Sequence, residues 1–131
     1  MKIEVCDSAF DPWSRLAQYQ RDCMDSTGSV GATAVFVGTL RDLNEGDAVQ
    51  GMLLEHYPGM TERYLEKISQ SASERWDLLD SLIVHRVGEL LPGEPIVLVA
   101  VWSAHRKQAF EASRWLMEAL KSKAPFWKKE R

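Results

Sequence analysis

Residues Asp80–Trp102 read DSLIVHRV-GEL-LPGE-PIVLVAVW. Two apolar, β-branched runs, Asp80–Val87 and Ile96–Trp102, flank the turn signal Leu91-Pro92-Gly93-Glu94. Strands joined by so short a connection pair antiparallel, so this stretch predicts a hairpin and not a βαβ unit. The second run is apolar almost throughout, as in a strand buried on both faces. Working outward, Ser103 is placed to cap a last helix that packs through Ala109, Ala112, Leu116, Ala119 and Leu120. Pro125 disfavours helix at Ala124, so that helix should end near Lys123. Upstream, Thr61 is expected to cap a helix from Glu62 to about Trp76, with Tyr64, Ile68, Ala72 and Trp76 four apart on one stripe.

Before that helix, Pro58-Gly59 ends a strand over Val49–Tyr57, and Asp42–Asp47 (DLNEGD) reads as a loop. Gly31–Gly38 (GATAVFVG) is a strand of small and β-branched residues. Asp25–Ser29 is a loop. Asp11-Pro12 reads as an N-cap followed by proline at the first helical position, opening an amphipathic helix through Trp13, Leu16, Ala17 and Tyr19 or Gln20 to about Met24. Lys2–Val5 is a short first strand. The order βαββαββα, with hairpins in place of regular βαβ alternation, predicts an α+β domain. With 131 residues, 45% hydrophobic and 27% charged, the composition is that of a soluble globular protein. One domain over residues 1–131 is expected.

Several function classes are disfavoured. No apolar run reaches the ~20 residues of a membrane span. Met1–Asp7 carries no apolar signal core, so a cytoplasmic protein is expected. Cys6 and Cys23 form no CxxC and are read as two reduced packing thiols. P-loop, GxGxxG, G-x-S-x-G and HExxH patterns are missing. His56, His85 and His105 are dispersed, and no metal site is expected. His85 reads as a satisfied sheet histidine, and His56 as a residue holding the following turn by hydrogen bonds.

Charge distribution is more informative than its sum. The net charge of −3 argues against general nucleic-acid binding, yet residues 121–131 carry +4, which leaves −7 on the rest. Phe126-Trp127 inside that basic run suggests an anchored tail and not a solvated one. Arg41 follows a strand end. His105-Arg106 opens a helix, where unpaired N–H groups and the dipole favour an anion and disfavour cations, so an anionic ligand would explain them. An ion pair from Arg106 to an acidic neighbour is the simpler alternative. Lys121 lies in the last turn, where the dipole alone favours lysine. Lys128 follows the aromatic pair. Lysines brought together lower one another's pKa and make a neutral amine more accessible, which a nearby phosphate opposes. These residues predict an anion-binding domain with a possible lysine site, and no particular reaction.

Four motifs go further. Glu55–Glu62 (EHYPGMTE), His85–Leu90 (HRVGEL), Ser103–Phe110 (SAHR-x-x-AF) and Leu120–Glu130 (LK-x-x-APFWKKE), in this order, resemble the large, catalytic subunits of molybdopterin synthase. The likeness runs from about Gly31 to Glu130. It implies an α/β hammerhead-type fold with a mainly antiparallel sheet and flanking helices. It implies a dimer of large subunits, each binding a small ubiquitin-like subunit whose C-terminal thiocarboxylate enters the pocket, a heterotetramer overall. Sulfur then passes to cyclic pyranopterin monophosphate (precursor Z), forming the molybdopterin dithiolene with no further cofactor. The catalytic lysines of the family fall on Lys121 and Lys128. Its substrate contacts fall on Thr39, Leu40, Arg41, His105, Arg106, Lys128, Lys129 and Glu130. Thr39-Leu40 stands where relatives often carry a basic residue and valine. Members usually continue past Lys-Lys-Glu in a tryptophan-containing tail, whereas this sequence reaches Arg131. A non-catalytic module holding the small subunit, or an RNA-binding domain using the basic tail, are the competing classes. The first would be expected to lose Lys121 or His105-Arg106.

Overall fold

The computed structural model describes residues 1–24, 28–44, 46–48 and 50–130, with backbone alone for 43, 44, 47, 129 and 130. Elements follow the order β1 (Lys2–Cys6), α1 (Pro12–Cys23), β2 (Ala32–Thr39), β3 (Leu43–Asn44), β4 (Asp47–Ala48), β5 (Met52–His56), α2 (Met60–Trp76), β6 (Asp80–Arg86), β7 (Gly88–Leu90), β8 (Pro95–Ser103), α3 (Arg106–Lys123) and β9 (Phe126–Glu130). The expected hairpin forms: β6 and β8 pair antiparallel with Leu82 opposite Ala100. They lie at the centre of a four-stranded sheet of order β1-β6-β8-β2. Its other β8 neighbour, β2, is also antiparallel, and the single parallel pair joins β1 to β6. The α+β reading holds.

Strand alternation explains the continuous apolar run. Val97, Val99 and Val101 pack with Ile83 beneath Leu65, Ile68, Ala72, Ala112 and Leu116 of α2 and α3. Leu98, Ala100 and Trp102 turn the other way, with Leu82 and Val84, against Tyr19 of α1. The sheet is therefore covered on both faces, by one helix on one side and two on the other. A smaller three-stranded sheet, β7-β5-β9, is antiparallel throughout and has its own core of Leu40, Met52, Leu54 and Leu90.

Local details depart from expectation for identifiable reasons. Asp11 caps α1 as expected, its carboxylate accepting from the amides of Trp13 (3.0 Å) and Ser14 (3.3 Å). Trp13 is exposed on that helix, not packed. Cys6 is half-buried, but Cys23 is exposed and so is no packing thiol; both are free. Thr61 does not cap α2. Gly59 occupies the cap with φ 84°, a conformation closed to most side chains, and its amide donates to the Glu62 carboxylate (3.2 Å). Ser103 is the last residue of β8 and is buried; His105 takes the N-cap of α3, its amide donating to Ser103 Oγ (3.3 Å). Part of the expected Asp42–Asp47 loop is a β-ribbon, with Leu43 opposite Ala48 and Asn44 opposite Asp47. The strand expected over Val49–Tyr57 spans Met52–His56. Its first residue, Val49, lies outside the described residues, as do Asp25–Thr27 of the first loop and Arg131. Gly31 meets a packing limit: a Cβ there would stand 2.0 Å from the Ala104 carbonyl oxygen.

Candidate functional site

Three segments build the site, two of them consecutive at the end of the chain and the third some eighty residues upstream. The first is the C-terminal turn of α3. Buried Leu120 anchors it to the core and leaves Lys121 at the surface. Pro125 forces Ala124 to ψ 141°, ending the helix and turning the chain back.

The second segment is β9. The residues expected to form an anchored tail are a strand, paired antiparallel with β5 so that His56 faces Phe126 and Leu54 faces Lys128. Rings fix it in place. Phe126 stacks on His85 with centroids 3.9 Å apart and planes inclined by 16°. Trp127 packs on Tyr57 at 4.5 Å. Thr61 joins the two sides of the turn: its hydroxyl donates to the Pro125 carbonyl (3.0 Å) and accepts from the Tyr57 amide (3.2 Å). His56 stacks loosely on the Phe126 ring, at 6.4 Å, and the hydrogen bonds that hold this turn come from Thr61 and Glu62 and not from His56. Lys128 thus sits on an ordered strand.

The third segment is Thr39-Leu40-Arg41, at the end of β2. The ladder with β8 shifts register between Gly38 and Thr39. Beyond that shift the Leu40 amide donates to the Glu94 carbonyl (3.0 Å), and the Gly93 amide donates to the Leu40 carbonyl (2.7 Å). Leu40 is buried, and Thr39 and Arg41 are exposed beside it.

These segments enclose a cavity of about 500 Å³. Arg41, Lys121 and Lys128 supply cations to its walls, and Met52, Leu54 and Met117 supply apolar surface. A pocket of that lining suits a partly apolar ligand carrying negative charge. His85 is also on the wall. Its Nδ1 lies 2.8 Å from the Arg86 carbonyl oxygen, which bears out the satisfied sheet histidine. Burial, together with the charge on His56, lowers its pKa to about 4 against the bond to Arg86, so the ring is neutral near pH 7.

Of the residues singled out, Thr39, Leu40, Arg41, Lys121 and Lys128 share this cavity. His105 and Arg106 do not: they are exposed at the opposite end of α3. Fifteen residues of helix put Arg106 roughly 22 Å from Lys121 at 1.5 Å per residue. Lys129 and Glu130 lie on β9 with only their backbone described. Sequence reasoning missed the wall residues His85, Met52 and Met117. Met117 had a usable signal, since it precedes Lys121 by one turn on the same helix face. Among the described residues no group of three His, Cys, Asp or Glu side chains is placed to hold a metal ion, and no helix is long and apolar enough to cross a membrane.

Fold and site together define an α+β domain with a cation-walled pocket between a helix C-terminus and a strand that follows it. Comparison with known proteins narrows this class. The family model described as MoaE protein matches residues 7–123. The molybdopterin synthase catalytic subunit of Ralstonia nicotianae is 58% identical over 128 residues, 98% of this chain and 70% of that protein. The crystal structure of molybdopterin synthase from Staphylococcus aureus superposes with a TM-score of 0.86 at 32% identity, covering 100% of this chain and 92% of that one. A chain from the complex of subunits 1 and 2 of the molybdopterin-converting factor of Helicobacter pylori gives 0.80 at 26% identity, covering 98% and 83%. This chain belongs to the MoaE family, the catalytic subunits of molybdopterin synthase.

Proposed function

We propose that this chain is the sulfurtransferase subunit that moves sulfur from the C-terminal thiocarboxylate of a small ubiquitin-like protein to cyclic pyranopterin monophosphate, in the cytoplasm. The observation that carries the reading is the meeting of Arg41, from the end of β2, with Lys121 and Lys128, from the C-terminal helix and the strand that follows it, on one cavity. A folded binding module has no need to gather amines this way. Arg41 holds the substrate phosphate by charge-assisted hydrogen bonds. Lys121 acts on the thiocarboxylate or the pterin carbon, as an acid/base or a transient acyl acceptor. Lys128 stabilises the developing anion. Thr39, Leu40, Lys129 and Glu130 contact the substrate around them. No metal or organic cofactor enters, because the sulfur arrives on the partner.

His105 and Arg106 belong to the same chemistry in this reading, and their distance from Lys121 has a structural answer. Two copies of the chain associate, so that the start of α3 from one completes the pocket of the other, with a small subunit at each end of the heterotetramer. The two-subunit complex of the Helicobacter pylori relative supports a partner subunit here. Reconstitution tests the proposal. The purified chain, the thiocarboxylated small subunit and precursor Z should together yield molybdopterin, and omission of any one should abolish it. A folded chain that binds the small subunit and makes no product would contradict it.

A further inference from the structure

Strand β6 ends on two buried titratable side chains, His85 and Arg86, which alternation sends to opposite faces. His85 reaches the pocket wall; Arg86 does not. Arg86 is nevertheless the one Lys or Arg buried among the described residues, at 6% exposure. A guanidinium taken out of water is strongly unfavourable unless anions and acceptors surround it. Arg86 Nη2 donates to the Glu89 carbonyl (2.6 Å), and Nη1 stands 3.4 Å from Glu94 Oε2. Neither its Nε nor its Nη1 finds a hydrogen-bond partner among the described residues, so charge attraction links it to Glu94, which increases its dependence on that carboxylate.

Glu94 is tied at both ends. Its Oε1 accepts from the Leu91 amide (2.6 Å), closing the turn between β7 and β8. That amide, and then the Arg86 charge, hold the Glu94 carboxyl below its ordinary pKa. Its own carbonyl accepts from Leu40, and the neighbouring Gly93 amide donates to Leu40. Leu40 lies between Thr39 and Arg41 on the cavity wall. A continuous chain of contacts therefore runs from Arg86, through Glu94 and the turn, to the segment that presents Arg41.

We propose that Arg86 is a positioning residue: by holding Glu94 it fixes the 91–94 turn, and through the turn's hydrogen bonds to Leu40 it sets where Arg41 meets the substrate. The kinetic consequence rests on the sulfur-transfer reading of the pocket; the mechanical linkage does not. Both are tested in the full complex with Glu94→Gln, Arg86→Met and Arg86→Lys. Hydrogen exchange of the Leu40 and Gly93 amides should quicken about tenfold in Glu94→Gln, with Val99 at the sheet centre unchanged. The KM for precursor Z should rise about tenfold with kcat held within about twofold, a pattern of lost binding. Arg86→Lys, which keeps a cation beside Glu94, should recover part of what Arg86→Met loses. Adding Glu94→Gln to Arg41→Ala should raise KM no further, because a positioning residue has nothing left to position. Unchanged exchange at Leu40 and Gly93, or effects of Glu94→Gln and Arg41→Ala that multiply, would overturn the proposal. Quickened exchange with an Arg41→Ala enzyme of normal KM would keep the linkage and remove Arg41 from the anion site.

Discussion

His85 carries a stability dependence that acid exposes. It is buried neutral, with a folded pKa of about 4 against an ordinary value of 6.5. The unfolded chain therefore binds more protons than the folded one between these values. The contribution of the neutral ring is fully present above pH 6.5 and is lost as pH falls towards 4, by roughly 3 kcal/mol in all. Urea midpoints at pH 7 and pH 4.5 should show this loss, and His85→Gln should flatten it. An identical acid slope in His85→Gln would assign the loss to other groups. Among single residues, Arg41 was legible from charge placed at a strand end, and Lys121 and Lys128 from the basic run and the motif that contains them. The wall position of His85 was not, because which face a strand residue takes depends on a register set by its neighbours.

At the scale of elements, β9 is the part of the site least visible in sequence. Phe126–Glu130 has no apolar alternation, and its strand conformation comes from the open edge of β5 and from the rings of His85 and Tyr57. The ribbon of β3 and β4 escaped notice for a related reason: its strands have two residues each. The central hairpin and all three helices were legible, because apolar period acts within one segment. Helix starts were misplaced at Thr61, whose hydroxyl donates to the distant Pro125 carbonyl, and at Ser103, which ends β8 and accepts from the His105 amide two residues on. Phe126→Ala should cost about 2 kcal/mol and speed amide exchange along β9 and β5 while the β6–β8 amides keep their protection. Thr61→Val, near in volume but without the hydroxyl, should cost about 1–3 kcal/mol by leaving the Tyr57 amide unpaired. Wild-type protection of β9 in Phe126→Ala would mean that backbone pairing alone holds the strand.

For the whole molecule, the proposed chemistry is divided between the two ends of α3 in two copies of the chain. Light scattering of the isolated protein at tens of micromolar should find a dimer. A mixture of Arg106→Ala and Lys121→Ala chains should regain activity that neither has alone, to roughly a quarter of wild type, since each mixed dimer holds one intact site. Failure to complement would mean that Arg106 and Lys121 do not meet in a site shared between two chains. The claim on which the rest depends is that Lys121 does chemistry and is not merely a lysine favoured by a helix end. Turnover of precursor Z by reconstituted Lys121→Ala and Lys123→Ala complexes tests it most directly. Both substitutions remove one positive charge near the same helix end, worth about 0.3–1 kcal/mol through the dipole, but the side chains lie about 200° apart around the helix. Lys121→Ala should lose at least ~10²-fold in rate with its fold and partner binding intact, and Lys123→Ala should stay close to wild type. Small, equal losses in the two variants would contradict the account.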